Sequence, residues 1–166
     1  MGEAKFGIKG EVTFIVETLD GCKHIFKNRN TVTLDGLYTI AQGFLGACGS
    51  SIHFITGNPY IAVGDDDTYP QPSDTVLGNE LLRKKVEDIG MVRTNKNMYF
   101  EIQIEPNEGL NSPYWVFKEC GLFIDGASAT PDSGKLVART LFAPEIEKTE
   151  YKRLTIRWAL KVERIE

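Results

Sequence analysis

Apolar and polar residues alternate along much of this chain, and that alternation sets the expected architecture. In Leu154-Thr-Ile-Arg-Trp-Ala-Leu-Lys-Val162 every second residue is large and apolar, while Thr155, Arg157 and Lys161 take the other side. A period of two is that of a strand with one buried face. The same period runs through Met98-Tyr-Phe-Glu-Ile-Gln-Ile-Glu105, predicting Met98, Phe100, Ile102 and Ile104 inside and Glu101, Gln103 and Glu105 outside. Glu11 to Glu17 repeats it with Val12, Phe14 and Val16, and Ile15 on the opposite face implies partial cover there too. Asp20-Gly21 then predicts a tight hairpin into a returning strand over Cys22 to Lys27.

The longest hairpin is expected over Lys118 to Phe142. Two apolar runs flank Gly126-Ala-Ser-Ala-Thr-Pro-Asp-Ser133, a loop of turn-forming residues. Gly121, inside the first run, marks a bulge or a close approach of another group. Between residues 34 and 46 the period changes: Leu37, Ile40, Ala41, Phe44 and Leu45 recur at helical spacing. Thr33 is the expected N-cap, Asp35 suits the positive helix end and Gly46 is the expected stop. Gly36 and Gly43 weaken this helix, so packing must hold it. Ile52 to Ile55 with His53, and Tyr60 to Val63, are short strand candidates. A Pro-punctuated connection over 68–74 leads to a predicted helical turn through Asn79-Glu-Leu-Leu82 and a strand within 83–93. Together these elements predict a mainly β protein, an antiparallel β-sandwich with one or two helical insertions. A closed lipocalin-type barrel is the alternative arrangement of the same strands. The expected core includes Phe100, Leu122, Phe142 and Trp158. Residues 1–10 are expected to form an N-terminal arm that orders on assembly, ahead of one domain over 11–166.

Length agrees with a single domain, since 166 residues suffice for a self-supporting core. A net charge of -4 excludes nucleic acid as the main partner, which would require a basic footprint. Arg83-Lys84-Lys85, answered by Glu87 and Asp88, reads as a solvated strand edge. Cys22, Cys48 and Cys120 are widely spaced and odd in number, so neither a zinc site nor a disulfide framework is expected. No secretory leader and no membrane-spanning run are apparent, which predicts synthesis in a cytoplasm. Asp65-Asp-Asp67 invites a calcium site but lacks the spacing of a calcium loop, so an exposed acidic turn is expected.

Catalytic patterns are absent from the sequence: there is no Gly-x-Ser-x-Gly elbow, HExxH or phosphate-binding glycine loop. The histidines, His24 and His53, lie near no such motif. Glu101, Glu105, Asp65 and Glu119 would have to converge to form a glycosidase pair, whereas outward strand carboxylates normally serve solubility. A non-enzymatic protein without cofactors is the expectation.

Several segments, taken in order, resemble a known family. They are Asn30-Thr-Val-Thr-Leu-Asp-Gly-Leu37, Ile61-Ala-Val-Gly64, Leu77-Gly-Asn-Glu-Leu-Leu-Arg83, Lys118-Glu-Cys-Gly-Leu-Phe123, Leu136-Val-Ala-Arg-Thr-Leu-Phe-Ala-Pro144, Lys148 and Leu154-Thr-Ile-Arg-Trp158. This ordered set, from about residue 30 to the end, resembles the small β-sandwich virion proteins of tailed bacteriophages: tail-fibre and collar-type proteins, and head-decoration or head-fibre proteins. The resemblance implies a structural subunit in the virion, assembled in the host cytoplasm, with other virion proteins as partners and a homo-oligomeric state such as a trimer. Glu80 and Arg83, three apart on the predicted helical turn, either pair with each other or with Glu119 and Arg139, or all four are exposed. Fibre members of that family carry long shafts or receptor-binding tips, and this chain ends right after its last predicted core strand. An accessory capsid subunit or a fibre adaptor is therefore expected rather than a receptor-binding fibre. Tyr69, Tyr114 and Trp115 lie beside prolines in predicted loops and are the candidate interface anchors. The alternative function is a carbohydrate-binding module with Tyr114 and Trp115 as its stacking platform; a ligand-carrying barrel is a third.

Overall fold

The computed structural model describes residues 5–45, 58–92, 97–109, 112 and 114–165. Two antiparallel five-stranded sheets face each other across one core. The first contains β1 (Lys5–Thr18), β2 (Lys23–Arg29), β6 (Asp88–Val92), β7 (Asn97–Ile104) and β10 (Lys152–Ile165), in the order β2-β1-β10-β7-β6. The second contains β3 (Thr31–Val32), β4 (Tyr60–Gly64), β5 (Glu80–Lys85), β8 (Tyr114–Ile124) and β9 (Lys135–Thr149), in the order β3-β9-β8-β4-β5. The fold is therefore the predicted sandwich, with one helix, α1 (Leu34–Leu45), among the described residues.

The alternating strands do what their period dictates. Val12, Phe14 and Val16 of β1, Phe100, Ile102 and Ile104 of β7, and Leu154 to Leu160 at every second position of β10 are all buried. They meet Leu122, Val137 and Phe142 from the second sheet, and the tilted rings of Phe14 and Phe142 meet across the gap with centres 4.3 Å apart. Phe100, Leu122, Phe142 and Trp158 all lie in this core.

At each flank of the sandwich the chain crosses from one sheet to the other. Asn30 alone separates β2 from β3, and Val86-Glu87 separates β5 from β6. At the second crossing the Glu87 N–H donates to Glu101 O (3.1 Å) and Lys84 Nζ donates to Gln103 O (2.5 Å). The strand expected within 83–93 is thus two strands in different sheets. The helical turn expected over Asn79 to Leu82 is instead the start of β5, because Glu80 pairs with Gly64 on β4. The arm expected over residues 1–10 belongs from Lys5 onward to β1, which stays in register with β10 from Lys5↔Ile165 to Thr18↔Lys152. The predicted hairpin at Asp20-Gly21 is present, with Gly21 at a φ of 88° and the Gly21 N–H donating to Thr18 O (2.9 Å). Cys48, Ile52 to Ile55 with His53, and the Gly46 helix stop lie outside the described residues.

Helix α1 is capped as expected: the Gly36 N–H donates to Thr33 Oγ1 (3.0 Å). Its stripe is narrower than the spacing suggests, with Ile40 buried but Leu37 and Ala41 exposed. Closeness to β9 compensates. A Cβ on Gly36 would lie 2.8–2.9 Å from backbone atoms of Val137. Gly36→Ala should therefore destabilise the fold by about 1–3 kcal/mol through overpacking, overriding the usual gain of about 1 kcal/mol for alanine in a helix. Urea unfolding measures this, and a stabilised variant would contradict the packing.

Candidate functional site

The inner face of the second sheet belongs to the core, and its outer face is covered as well. β8 is buried continuously from Glu119 to Ile124, and β9 from Leu136 to Thr140. The cover consists of two excursions, residues 65–79 between β4 and β5 and residues 125–134 between β8 and β9. A small apolar cluster of Ala62, Leu77, Phe123 and Leu136 lies under them. A Cβ at Gly121 would come within 3 Å of both Leu77 and Leu136, so the close approach expected at this glycine is present.

Charged side chains fasten each excursion. Arg139 is 3% exposed and sits among three carboxylates. Its Nε donates to Glu119 Oε2 (2.9 Å), its Nη1 to Asp74 Oδ2 (2.8 Å) and its Nη2 to Asp66 Oδ1 (3.4 Å). Glu119, 0% exposed, also accepts the N–H groups of Gly78 (3.1 Å) and Asn79 (2.9 Å). Asp74 and Asp66 accept the N–H groups of Gln71 and Thr68. Arg139 at Asp66 and Asp74, with Glu119 at Gly78 and Asn79, thus holds the 65–79 excursion along its length. Burial works against the charge on Arg139, but the bonds to Asp74 and the nearby Glu119 outweigh it, and its pKa is raised.

The second fastening uses Arg83. It pairs with Glu80 through two bonds (Nε to Oε1, 2.6 Å; Nη2 to Oε2, 2.7 Å) and donates from Nη1 to the carbonyls of Ser128 and Ser133. Its guanidinium also stacks over Phe123, 4.6 Å from the ring centre. Of the expected pairings Glu80–Arg83 is formed, in strand rather than helical geometry, while Glu119 and Arg139 pair with each other. Arg83-Lys84-Lys85 is correspondingly no solvated edge: the Arg83 side chain is buried, Lys84 bridges Glu108 (2.9 Å) and Glu87 (3.2 Å), and Lys85 is exposed. Lys148, fully buried, donates to Pro106 O (2.6 Å) and Thr149 O (3.1 Å), and burial lowers its pKa.

Acid should loosen these fastenings. Burial raises the pKa of Glu108, but the Glu105 N–H and Lys84 outweigh it and leave the net value below the usual 4.5. The Thr68 hydroxyl and N–H, with smaller help from Arg139, hold Asp66 below 3.8. A carboxylate depressed in the folded state contributes stability that is present above its unfolded value and lost as pH falls through the folded one. Urea midpoints should thus fall on acidification between about pH 5 and pH 3, and Glu108→Gln should flatten part of that slope. An unchanged slope in that variant would contradict the assignment.

The carboxylates that would have to converge for glycoside hydrolysis are each engaged by another group. Glu101 pairs with Arg157 (2.6 Å), Glu105 with Arg153 (3.1 Å), Asp65 accepts from Asn79 Nδ2 (2.6 Å), and Glu119 faces Arg139. Among the described residues no three His, Cys, Asp or Glu side chains are disposed to hold a metal ion. Asp65 and Asp67 are exposed, as expected of an acidic turn, but Asp66 turns inward to Arg139. Cys120 is fully buried, and burial together with Glu119 raises its thiol well above 9.0, so it is a poor nucleophile. No described helix is long and apolar enough to cross a membrane.

The candidate interface aromatics separate. Tyr69, 73% exposed, stands on the fastened 65–79 excursion. Tyr114 and Trp115 belong to β8 rather than to a loop. Being consecutive on a strand they face opposite ways. Tyr114 is 53% exposed, while Trp115 packs on the core beside Phe117, ring centres 5.9 Å apart. They do not form one stacking platform.

Tyr69 instead overlooks a cleft of about 300 Å³ where the β2–β3 segment and β9 part company. β3 pairs with β9 at Thr31↔Arg139 and Val32↔Ala138. Upstream, side chains bridge the widening gap: Asn28 Nδ2 donates to Leu141 O (2.6 Å) and Thr140 Oγ1 to Arg29 O (2.9 Å). The charged residues lining the cleft are Lys27, Arg29 and Arg139, all cations. Sequence reasoning missed this cleft, because Lys27 and Arg29 look like ordinary exposed strand residues until the crossing brings them beside Tyr69.

Comparison of the chain with protein-family profiles, with curated proteins and with solved structures returned no match. What it does must be argued from its own residues.

Proposed function

We propose that this protein is a non-enzymatic structural component of a tailed-phage virion, either an accessory subunit decorating the capsid or an adaptor attaching a tail or collar fibre. The observation that supports this most is how the buried charges are used. Arg139, Glu119, Arg83 and Glu80 hold two surface excursions rigidly against a sheet. Loops fixed before contact lose little freedom when a partner docks, and that favours assembly. The ordered resemblance to tailed-phage β-sandwich proteins supplies the kind of assembly. Attachment would use on the order of 1,000 Å² of loop and edge surface, with Tyr69 as one anchor, and a symmetric oligomer such as a trimer would multiply the contacts.

The test is co-sedimentation of the purified protein with virions or capsids that lack it, with native mass spectrometry of the free protein for its oligomeric state. Saturable attachment is the expected result. Failure to attach, together with specific retention on a glycan array, would overturn the proposal in favour of a carbohydrate-binding module. That second function has lost its expected platform, since Tyr114 and Trp115 face apart.

A further inference from the structure

The Tyr69 cleft opens onto the free edge of β2. The Arg29 carbonyl points away from β1, because it accepts from Thr140, and the Asn30 N–H points toward β1, because it donates to Gly10 O (3.3 Å). Backbone direction alternates along a strand. β2 stays in register with β1 throughout, so Lys23, Ile25 and Lys27 aim their N–H and C=O groups outward. Among the described residues these groups meet no partner. The side chains of Lys23, Ile25, Lys27 and Arg29 share the outer face, and Ile25 is 61% exposed between the two lysines.

We propose that this edge, continuing into the cleft, receives an extended acidic segment of a partner protein as an added strand. The backbone of β2 would bind the segment, and its side chains would select it. Alternate outer-face residues of the incoming strand fall beside Lys23, Ile25 and Lys27, which calls for acidic, apolar, acidic. The next acidic group reaches Arg29 and the cleft floor under Tyr69. Lys23 and Lys27 currently pair with Glu17 (3.5 Å) and Glu11 (3.0 Å) at the surface, contacts weak enough to exchange. Arg29 has no ion-pair partner among the described residues. Edge lysines also repel a second copy of β2, so the edge discriminates by charge. An acidic glycan would satisfy the cations but leave the outward backbone groups unused, so a peptide fits better.

The proposal rests on the virion reading only for the partner's identity, and its test needs no virion. The probe is the capped heptapeptide Thr-Glu-Thr-Val-Thr-Glu-Thr, compared with the same peptide carrying Lys for Glu, by fluorescence anisotropy on the full chain. The acidic peptide should bind about tenfold more tightly or better, matching two cross-strand charge pairs. It should also slow amide exchange at Lys23, Ile25 and Lys27. The double variant Lys23→Glu/Lys27→Glu should invert the preference, while Lys85→Glu, on β5, should not. Equal binding of both peptides, no binding of either at millimolar concentration, or binding without protection of those amides overturns the proposal. So does an acidic oligosaccharide such as a hyaluronan tetrasaccharide binding where the peptide does not. The peptide arms use the unaltered protein, so a misfolded variant does not blunt the test. Retained co-sedimentation despite peptide failure would leave the virion assignment standing.

Discussion

Trp158→Ala is expected to remove about 3–5 kcal/mol of stability, a large share of what a domain this size possesses. The side chain is 0% exposed and lies in register between Val12 of β1 and Phe100 of β7. Truncation there opens a cavity that two neighbouring strands and the facing sheet cannot collapse into. The indole Nε1 is buried with no hydrogen-bond partner among the described residues. That unsatisfied donor makes Trp158→Phe informative: it loses volume but also removes a polar group held out of water, so it should cost much less, under about 2 kcal/mol. Urea unfolding of both variants with unchanged m-values gives the comparison. A loss below about 1 kcal/mol for the alanine variant would be incompatible with full burial.

Arg139→Met should be comparably damaging, about 3–5 kcal/mol, by a different route. Methionine approximates the length of the side chain but leaves Glu119, Asp66 and Asp74 facing one another without a counter-charge. The damage should be visible locally before it is visible globally, as faster proteolysis and amide exchange within residues 65–79. Glu119→Gln/Arg139→Met should recover part of the loss, because the most buried of the three carboxylates is then neutral. If the single variant were as stable as the parent, the carboxylates would have to be hydrated and the excursion not seated on Arg139.

How much of this was legible in the sequence differs by element. Strands with one dry face announced themselves: the period of two in β1, β7 and β10 places Phe14, Phe100 and Trp158 inside without reference to the rest of the chain. β4, β8 and β9 announced less, because both of their faces are covered. Gly121 to Ile124 and Leu136 to Ala138 are near-continuous apolar runs, and such runs show burial without showing by what. The charged residues inside them, Glu119 and Arg139, were the available clue. A carboxylate and a guanidinium in the middle of buried strands need partners, and the two partners nearest in space are each other. Asp66 and Asp74 were not legible as part of that group. Asp66 sits in a run of three aspartates for which an acidic turn was the natural interpretation, and Asp74 in a proline-punctuated connection whose path is set by the sheet beneath. Asn79 to Leu82 went wrong for a related reason. Its short apolar pair fits a helical turn as well as a strand, and only pairing with β4 decides between them.

The register of β1 against β10 has a geometric corollary. Lys5 lies opposite Ile165, and about 40 Å away along the same two strands the Leu19 N–H donates to Tyr151 O (3.2 Å). Chain leaving Lys5 backward and Ile165 forward therefore departs from one pole. The opposite tip, where Leu19 and Tyr151 are turned out to solvent, lies at the far pole, so a fluorophore attached next to Lys5 or Ile165 leaves that tip uncovered.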